Sequence, residues 1–247
     1  MIEIYMKKII TISFCRLMLL IGASLLPILA HAQEATILAR QTQSPPAAQT
    51  VAPTTSKQDA IKVNPLFGIG NVSEDNYQPL TGEQRWQLFL KEDFTSPGAY
   101  FRALGPALGN HLSNKPTEWN QGLKGYGRRV ASRYGTFLVQ GAVRASAAAL
   151  LKQDPRYIRS ANKGKWSRVG HAILFNFVTL NNDGKKTLAI ARLGGSYAGG
   201  IVSMAWHPER HTWKDGVRIG HQQLVFGNFS NLVQEFWPEI QSIFKKR

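Results

Sequence analysis

The chain has 247 residues, a formal net charge of +15, 43% hydrophobic residues and a single cysteine. One thiol excludes a disulfide framework, so the fold must be stabilised by burial alone or by packing against a membrane or partner. A positive balance of this size favours anionic partners: phospholipid head groups, glycolipid phosphates, acidic polysaccharide or nucleic acid.

The first 32 residues carry Lys7, Lys8 and Arg16, an apolar run Leu17–Leu29 and a closing Ala30-His31-Ala32. Roughly 20 apolar residues are needed to span a bilayer, and this run falls short. The small residues at Ala30 and Ala32 present an A-x-A cleavage pattern, so residues 1–32 read as a secretory signal peptide. Cys15 lies inside it, behind Phe14 rather than a small residue, which excludes a lipobox. Cleavage removes three of the 30 Lys+Arg and one of the 15 Asp+Glu, leaving 27 against 14, a net of +13. From Gln33 to Lys62 the chain is rich in Gln, Thr, Ala and Pro and poor in large apolar residues, the composition of a disordered linker. A single helical domain is expected over residues 63–247.

Thr81 reads as the N-cap of a helix over Gly82–Lys91, with Trp86, Phe89 and Leu90 on one face. Ser96 at a cap and Pro97 at the first helical position open a second helix toward His111. A long helix runs from about Gly127 to Lys152, ended by Asp154-Pro155. Along it Arg129, Arg133, Gln140 and Arg144 fall in a narrow arc, a single polar stripe on an apolar helix. Val169, Ile173 and Phe177 predict a helix over Ser167–Thr179, followed by an Asn181-Asn182-Asp183-Gly184 turn. Thr187–Trp206 is an apolar segment holding one charge, Arg192, and a Gly195-x-x-x-Gly199 face with Gly194 and Gly200 beside it. Gly105-x-x-x-Gly109 and Gly216-x-x-x-Gly220 repeat that spacing, which lets helices pack closely or self-associate. A last helix covers Gly220–Ile243, interrupted at Trp237-Pro238.

Beta structure is the alternative. Residues 171–193 can be written as a hairpin with arms Ala172–Leu180 and Lys186–Leu193, and the scattered Gly, Tyr and Trp suit an outer-membrane barrel. Period-two alternation is poor in Ala172–Leu180, however, and Ala142–Leu151 is too rich in Ala for a strand. The expected fold is therefore mainly α, a helical bundle with Gly-faced helices. Arg144 and Arg192 should face the bundle interior or water, because charge in hydrocarbon costs about 2.5–3.5 kcal/mol.

Catalytic patterns are sparse. His207-Pro208-Glu209-Arg210-His211, with His221 further on, could supply three imidazoles to zinc, although Pro208 pushes His207 away from helical geometry. Gly194-Gly195-Ser196-Tyr197-Ala198-Gly199 lacks the spacing of a nucleophile elbow, and the glycines at 122–127 complete neither a Walker nor a Rossmann pattern. The carboxylates are scattered, with no pair spaced for acid and base roles.

The densest basic region holds Arg128, Arg129, Arg133, Arg156, Arg159, Lys165 and Arg168, interleaved with Tyr126, Tyr134, Tyr157 and Trp166. Guanidinium forks suit phosphate oxygens and the aromatic rings suit a head-group layer. Phe94-Thr95-Ser96-Pro97-Gly98-Ala99, Gly125-Tyr126-Gly127-Arg128-Arg129, Asp154-Pro155-Arg156-Tyr157 and Ala205-Trp206-His207-Pro208 resemble a group of exported bacterial proteins of uncharacterised function, over roughly residues 80–238. The resemblance implies one domain behind a variable leader and carries over no catalytic residue.

These residues favour a binding or structural role over catalysis. The expected function is an exported, membrane-associated protein of the periplasm or outer membrane whose seven basic side chains meet anionic lipid or envelope glycolipid. No cofactor is implied, and export argues against nucleic acid as the partner. A metal-dependent periplasmic hydrolase using His207, His211 and His221, and a small outer-membrane barrel, are the alternatives.

Overall fold

The computed structural model describes residues 61–245. The predicted signal peptide and residues 33–60 of the predicted linker lie outside the described residues. Mainly α is the fold class: the described residues form seven helices and four strands of three residues each.

Local chemistry sets the first two helices. Helix α1, Gly82–Leu90, starts from a capping box in which Thr81 Oγ1 accepts from the Gln84 amide at 3.2 Å and Gln84 Oε1 accepts from the Thr81 amide at 2.9 Å. A π-helical turn, Lys91–Thr95, follows and carries Glu92 and Asp93 into the interior. Helix α2, Pro97–Leu112, has Pro97 at its first position and Ser96 Oγ accepting from the Ala99 amide at 3.2 Å. Helix α3, Gly122–Leu150, is the longest, and its Ala-rich end matches its predicted helicity.

Two small sheets and four further helices complete the chain. Strand β1, Asn71–Ser73, pairs in parallel with β2, Tyr157–Arg159, Asn71 lying opposite Tyr157. Helix α4, Lys165–Leu174, leads to an antiparallel hairpin of β3, Val178–Leu180, and β4, Lys186–Leu188. Helices α5, Ile190–Val202, α6, Trp213–Glu235, and α7, Trp237–Lys245, follow. Thr212 and Asp215 form the capping box of α6.

Residues 171–193 thus contain both predicted forms. Helix α4 stops at Leu174 instead of reaching Thr179, because Thr179 and Leu180 are drawn to the segment after α3: Thr179 Oγ1 donates to the Asp154 carbonyl at 2.7 Å and Asp154 N donates to the Leu180 carbonyl at 2.8 Å. Thr187 and Leu188 belong to β4, so α5 starts three residues later than the apolar run predicts. Helix α6 starts at Trp213, seven residues ahead of the expected Gly220, through the Thr212 cap. The alternative of a barrel is corrected: the strands form two separate two-stranded sheets and close no barrel among the described residues.

The helices meet through small residues. Helix α3 packs against α2 on one side and α5 on another, and α5 packs against α6. Gly195 and Gly199 of α5 lie against the backbone of α3, where an added Cβ would stand 2.7 Å from the Gln140 carbonyl oxygen and 2.9 Å from that of Thr136. A Cβ at Gly200 would overlap the Gly216 carbonyl oxygen of α6, and one at Gly220 would overlap the Tyr197 ring. The Gly216-x-x-x-Gly220 spacing is therefore used inside the fold. Gly105 and Gly109 of α2 differ, with nothing within 4 Å of an added Cβ.

Helix α2 turns Gly98, Ala99, Ala103 and Ala107 inward and leaves Tyr100, Phe101, Leu104, Leu108 and Leu112 exposed. A compact apolar cluster, Tyr157, Ile158, Ala172, Phe175 and Leu180, anchors β2, α4 and β3. Much of the remaining interior is polar: Asn64, Glu92, Asp93, Arg129, Thr136, Asn176, Gln234 and Glu235 are all at most 2% exposed.

Candidate functional site

The seven predicted anion-binding residues do not converge. Arg129 is fully buried, with its guanidinium donating to the carbonyls of Lys115 at 2.8 Å, Pro116 at 2.8 Å and Asn120 at 2.7 Å. It staples the loop between α2 and α3 and has no face for a surface ligand, which corrects its expected role. Arg156 grips Asp154 through two nitrogens, at 3.1 and 2.7 Å, and donates to the Gln78 carbonyl at 2.6 Å. Arg168 pairs with Glu235 at 3.0 Å and with Glu239, and its guanidinium stacks over the Phe236 ring. Their charges are neutralised within the fold.

Arg128 and Lys165 are exposed, Arg133 and Arg159 half-buried, and none of these four forms an ion pair among the described residues. Burial lowers the Arg133 pKa, and the Arg159 Nε has no partner. Arg128 and Arg133 belong to α3, whereas Arg159 and Lys165 sit on β2 and at the start of α4. Four dispersed cations remain where seven were expected.

The three histidines sit in different surroundings. His207 is buried with its ring 5.0 Å from that of Trp119, and its Nδ1 accepts from the Glu209 amide at 3.3 Å. Burial, aided by the positive charges of Arg210 and Arg133, pushes its pKa down to about 3, so it stays neutral. His211 is exposed, and His221 lies edge-on to Tyr197 on α6. Among the described residues no three His, Cys, Asp or Glu side chains gather to hold a metal ion.

Two features stand out instead. One is the amount of exposed apolar side chain: Leu112, Leu123, Leu150 and Trp166 are each at least 77% exposed, and Trp86, Tyr100, Phe101, Leu108, Trp213, Val225 and Phe229, on several helices, add to them. Scattered apolar residues are ordinary on a soluble surface, but contiguous large ones over α2 are not. The first half of α6 carries a shallow groove of Trp213, Val217 and Val225 rimmed by Lys214, Arg218 and His221. Among the described residues, no helix is long and apolar enough to cross a membrane.

The other feature is an interior cavity of about 60 Å³ lined by the polar side chains of Arg102 on α2, Gln140 and Arg144 on α3, Asn176 in the turn after α4, Arg192 and Ser196 on α5, and Gln223 and Asn231 on α6. Ile69, Phe137 and Phe226 form its apolar wall. Behind Arg144, Glu92 accepts from the Gly70 amide at 2.7 Å through one oxygen and pairs with Arg144 through the other. Asp93 lies 3.5 Å from Arg102, against the backbone of Gly141, which has no side chain to block it. Burial raises the Asp93 pKa to about 6, against the lowering effect of Arg144 and Arg102. Arg192 donates to the carbonyls of Phe175 and Arg156, and desolvation, reinforced by the charge of Arg144, lowers its pKa to about 10.

Arg144 and Arg192 face inward, one of the two orientations expected for them. The carboxylate partners were not legible: Glu92 and Asp93 lie 52 and nine residues from the arginines they meet, and no motif marks the π turn that buries them. Glu235 was likewise hidden, though it accepts from the Tyr157 hydroxyl at 2.6 Å, the Ser160 amide at 3.1 Å and Arg168 at 3.0 Å, tying β2 and α4 to α6. No protein-family model, curated protein or solved structure matches the chain.

Proposed function

We propose that the chain is a lipid-contacting binding or structural protein of the bacterial envelope, resting in one face of an anionic membrane. What carries the reading is the division of α2, whose Gly98, Ala99, Ala103 and Ala107 face the bundle while Tyr100, Phe101, Leu104, Leu108 and Leu112 face out. Full burial of a large apolar side chain is worth about 1.5–3 kcal/mol, so covering five half-exposed ones yields roughly 5 kcal/mol. Tight helix contacts through glycine with polar groups turned inward are the arrangement that a lipid surround favours.

The absence of a crossing helix among the described residues is consistent with an interfacial position rather than a span. Trp166 follows Lys165 at the start of α4, and Trp213 shares its groove with Lys214 and Arg218, pairings of ring and cation that suit a head-group layer. Of the seven predicted cations Arg128 and Lys165 are exposed, and an exposed cation is worth about 1 kcal/mol near an anionic surface.

Flotation of the full chain with vesicles of phosphatidylglycerol and phosphatidylcholine tests this. A Leu104→Ser/Leu108→Ser/Leu112→Ser variant should lose at least about tenfold in partitioning while keeping its unfolding midpoint, since all three positions are exposed. Arg128→Glu/Lys165→Glu should weaken binding to anionic vesicles and leave neutral ones unaffected. Both variants share the N-terminal apolar run with the parent, so partitioning equal to the parent in both would overturn the proposal.

A further inference from the structure

We infer that the cavity bounded by Arg102, Arg144 and Arg192 binds a small monovalent anion, with the carboxylate of a short organic acid as the best fit. The first argument is charge. Three guanidiniums line the cavity and two carboxylates, Glu92 and Asp93, answer them. The other interior acids are already committed, Asp154 to Arg156 and Glu235 to Arg168. One positive charge is left over, and it belongs to Arg192, which meets only the carbonyls of Phe175 and Arg156. A surplus charge inside a protein is costly until a counter-charge reaches it.

The second argument is hydrogen bonding. Arg102 Nε, Arg144 Nε, Gln140 Oε1 and Asn176 Oδ1 are buried atoms of cavity-lining residues with no partner. Orphaned groups of this kind are rare in native interiors, and four around one cavity point to a polar occupant. The two arginine nitrogens donate, as a carboxylate requires. The amide oxygens accept, which suits water carried with the anion, or become donors if those amides are turned over.

The third argument is size and shape. The cavity of about 60 Å³ holds roughly four waters, enough for a halide with water or for a carboxylate with a few carbons. Ile69, Phe137 and Phe226, also in the lining, give an alkyl group apolar contacts beside the arginines. Larger dianions exceed both the space and the single surplus charge. The site is separate from the lipid-facing helix surfaces and stands whether or not the chain binds membranes.

The test is ¹⁹F NMR of trifluoroacetate with the full chain in neutral detergent and no lipid. Saturable line broadening is expected, displaced by acetate or propionate if the site prefers carboxylates and by chloride if it prefers halides. Sulfate should displace neither. Arg192→Gln removes the surplus charge and should reduce affinity at least tenfold. If that variant fails to unfold cooperatively, Ser196→Val decides, because it keeps every charge and adds bulk to the cavity wall, and it should also abolish the broadening. Broadening that does not saturate, or that persists unchanged in a folded Arg192→Gln or Ser196→Val variant, overturns the inference.

Discussion

Arg129 carries the sharpest mechanical consequence, because its guanidinium substitutes for an entire set of backbone donors. Replacing it with Met keeps the bulk and leaves the carbonyls of Lys115, Pro116 and Asn120 without their partner. A hydrogen bond to a charged group is worth about 1.5–3 kcal/mol, so three give a ceiling near ~9 kcal/mol. Two terms reduce it: Lys115 and Asn120 are exposed residues whose carbonyls can recover water, and a buried charge is removed. About 4 kcal/mol of destabilisation is expected for Arg129→Met, against under about 0.5 kcal/mol for Arg128→Met at the exposed neighbouring position. Urea unfolding followed by circular dichroism measures both. Faster cleavage after the exposed Glu118 by a glutamate-specific protease should accompany the loss, since Arg129 ties this loop down through three of its carbonyls. A cost below about 1 kcal/mol, with cleavage unchanged, would refute the reasoning and return Arg129 to the list of surface cations.

The glycines give a paired prediction of opposite sign. Gly200→Ala drives a methyl into the Gly216 carbonyl and should cost more than about 2 kcal/mol, whereas Gly105→Ala enters open space on a helix and should stabilise by about 0.5–1 kcal/mol; equal effects in thermal unfolding would sink the packing scheme. For pH, the Asp93 carboxyl moves from 3.8 in the unfolded chain to about 6 in the fold. The folded state then holds a proton that the unfolded state has released, so this group's stabilisation is full below about pH 4 and is lost as pH rises through about 6. The two-unit shift corresponds to about 3 kcal/mol. Asp93→Asn should flatten that slope between pH 4 and 6 in urea midpoints, and parallel curves for the two proteins would refute it.

What the sequence disclosed was local. The caps at Thr81 and Ser96 need only neighbours a few residues away, and they stand where the residues place them, while α3 ends at Leu150, two residues short of the predicted Lys152. The Asn181–Gly184 turn was equally readable, yet the residues before it fit a helix and a strand alike, and a contact with Asp154 decides between them. Direction was harder. Arg129 and Arg144 share one arc of α3, and spacing shows a polar stripe without saying what faces it. Glycine spacing has the same limit: Gly195 and Gly199 meet α3, while Gly105 and Gly109 at the same interval meet nothing within 4 Å.

The inward polar stripe and the outward leucines are one solution to a single constraint. Helices that touch through Gly and Ala lie close together and leave little room for large side chains between them, so Phe101, Leu104 and Leu108 have to point away. What fills the interior must then hold itself together by directed bonds, and the Glu92–Arg144, Asp154–Arg156 and Glu235–Arg168 pairs do so between segments far apart in sequence or at the junctions of elements. Such pairs contribute little net energy compared with packed hydrocarbon, but each is costly to break singly, which fixes the register of the helices that carry them. A bundle held this way in water keeps its apolar faces unpaired. The same bundle against lipid loses none of its internal bonds and gains the burial its core does not supply, so its stability should depend on that surround more than an ordinary helical protein's does.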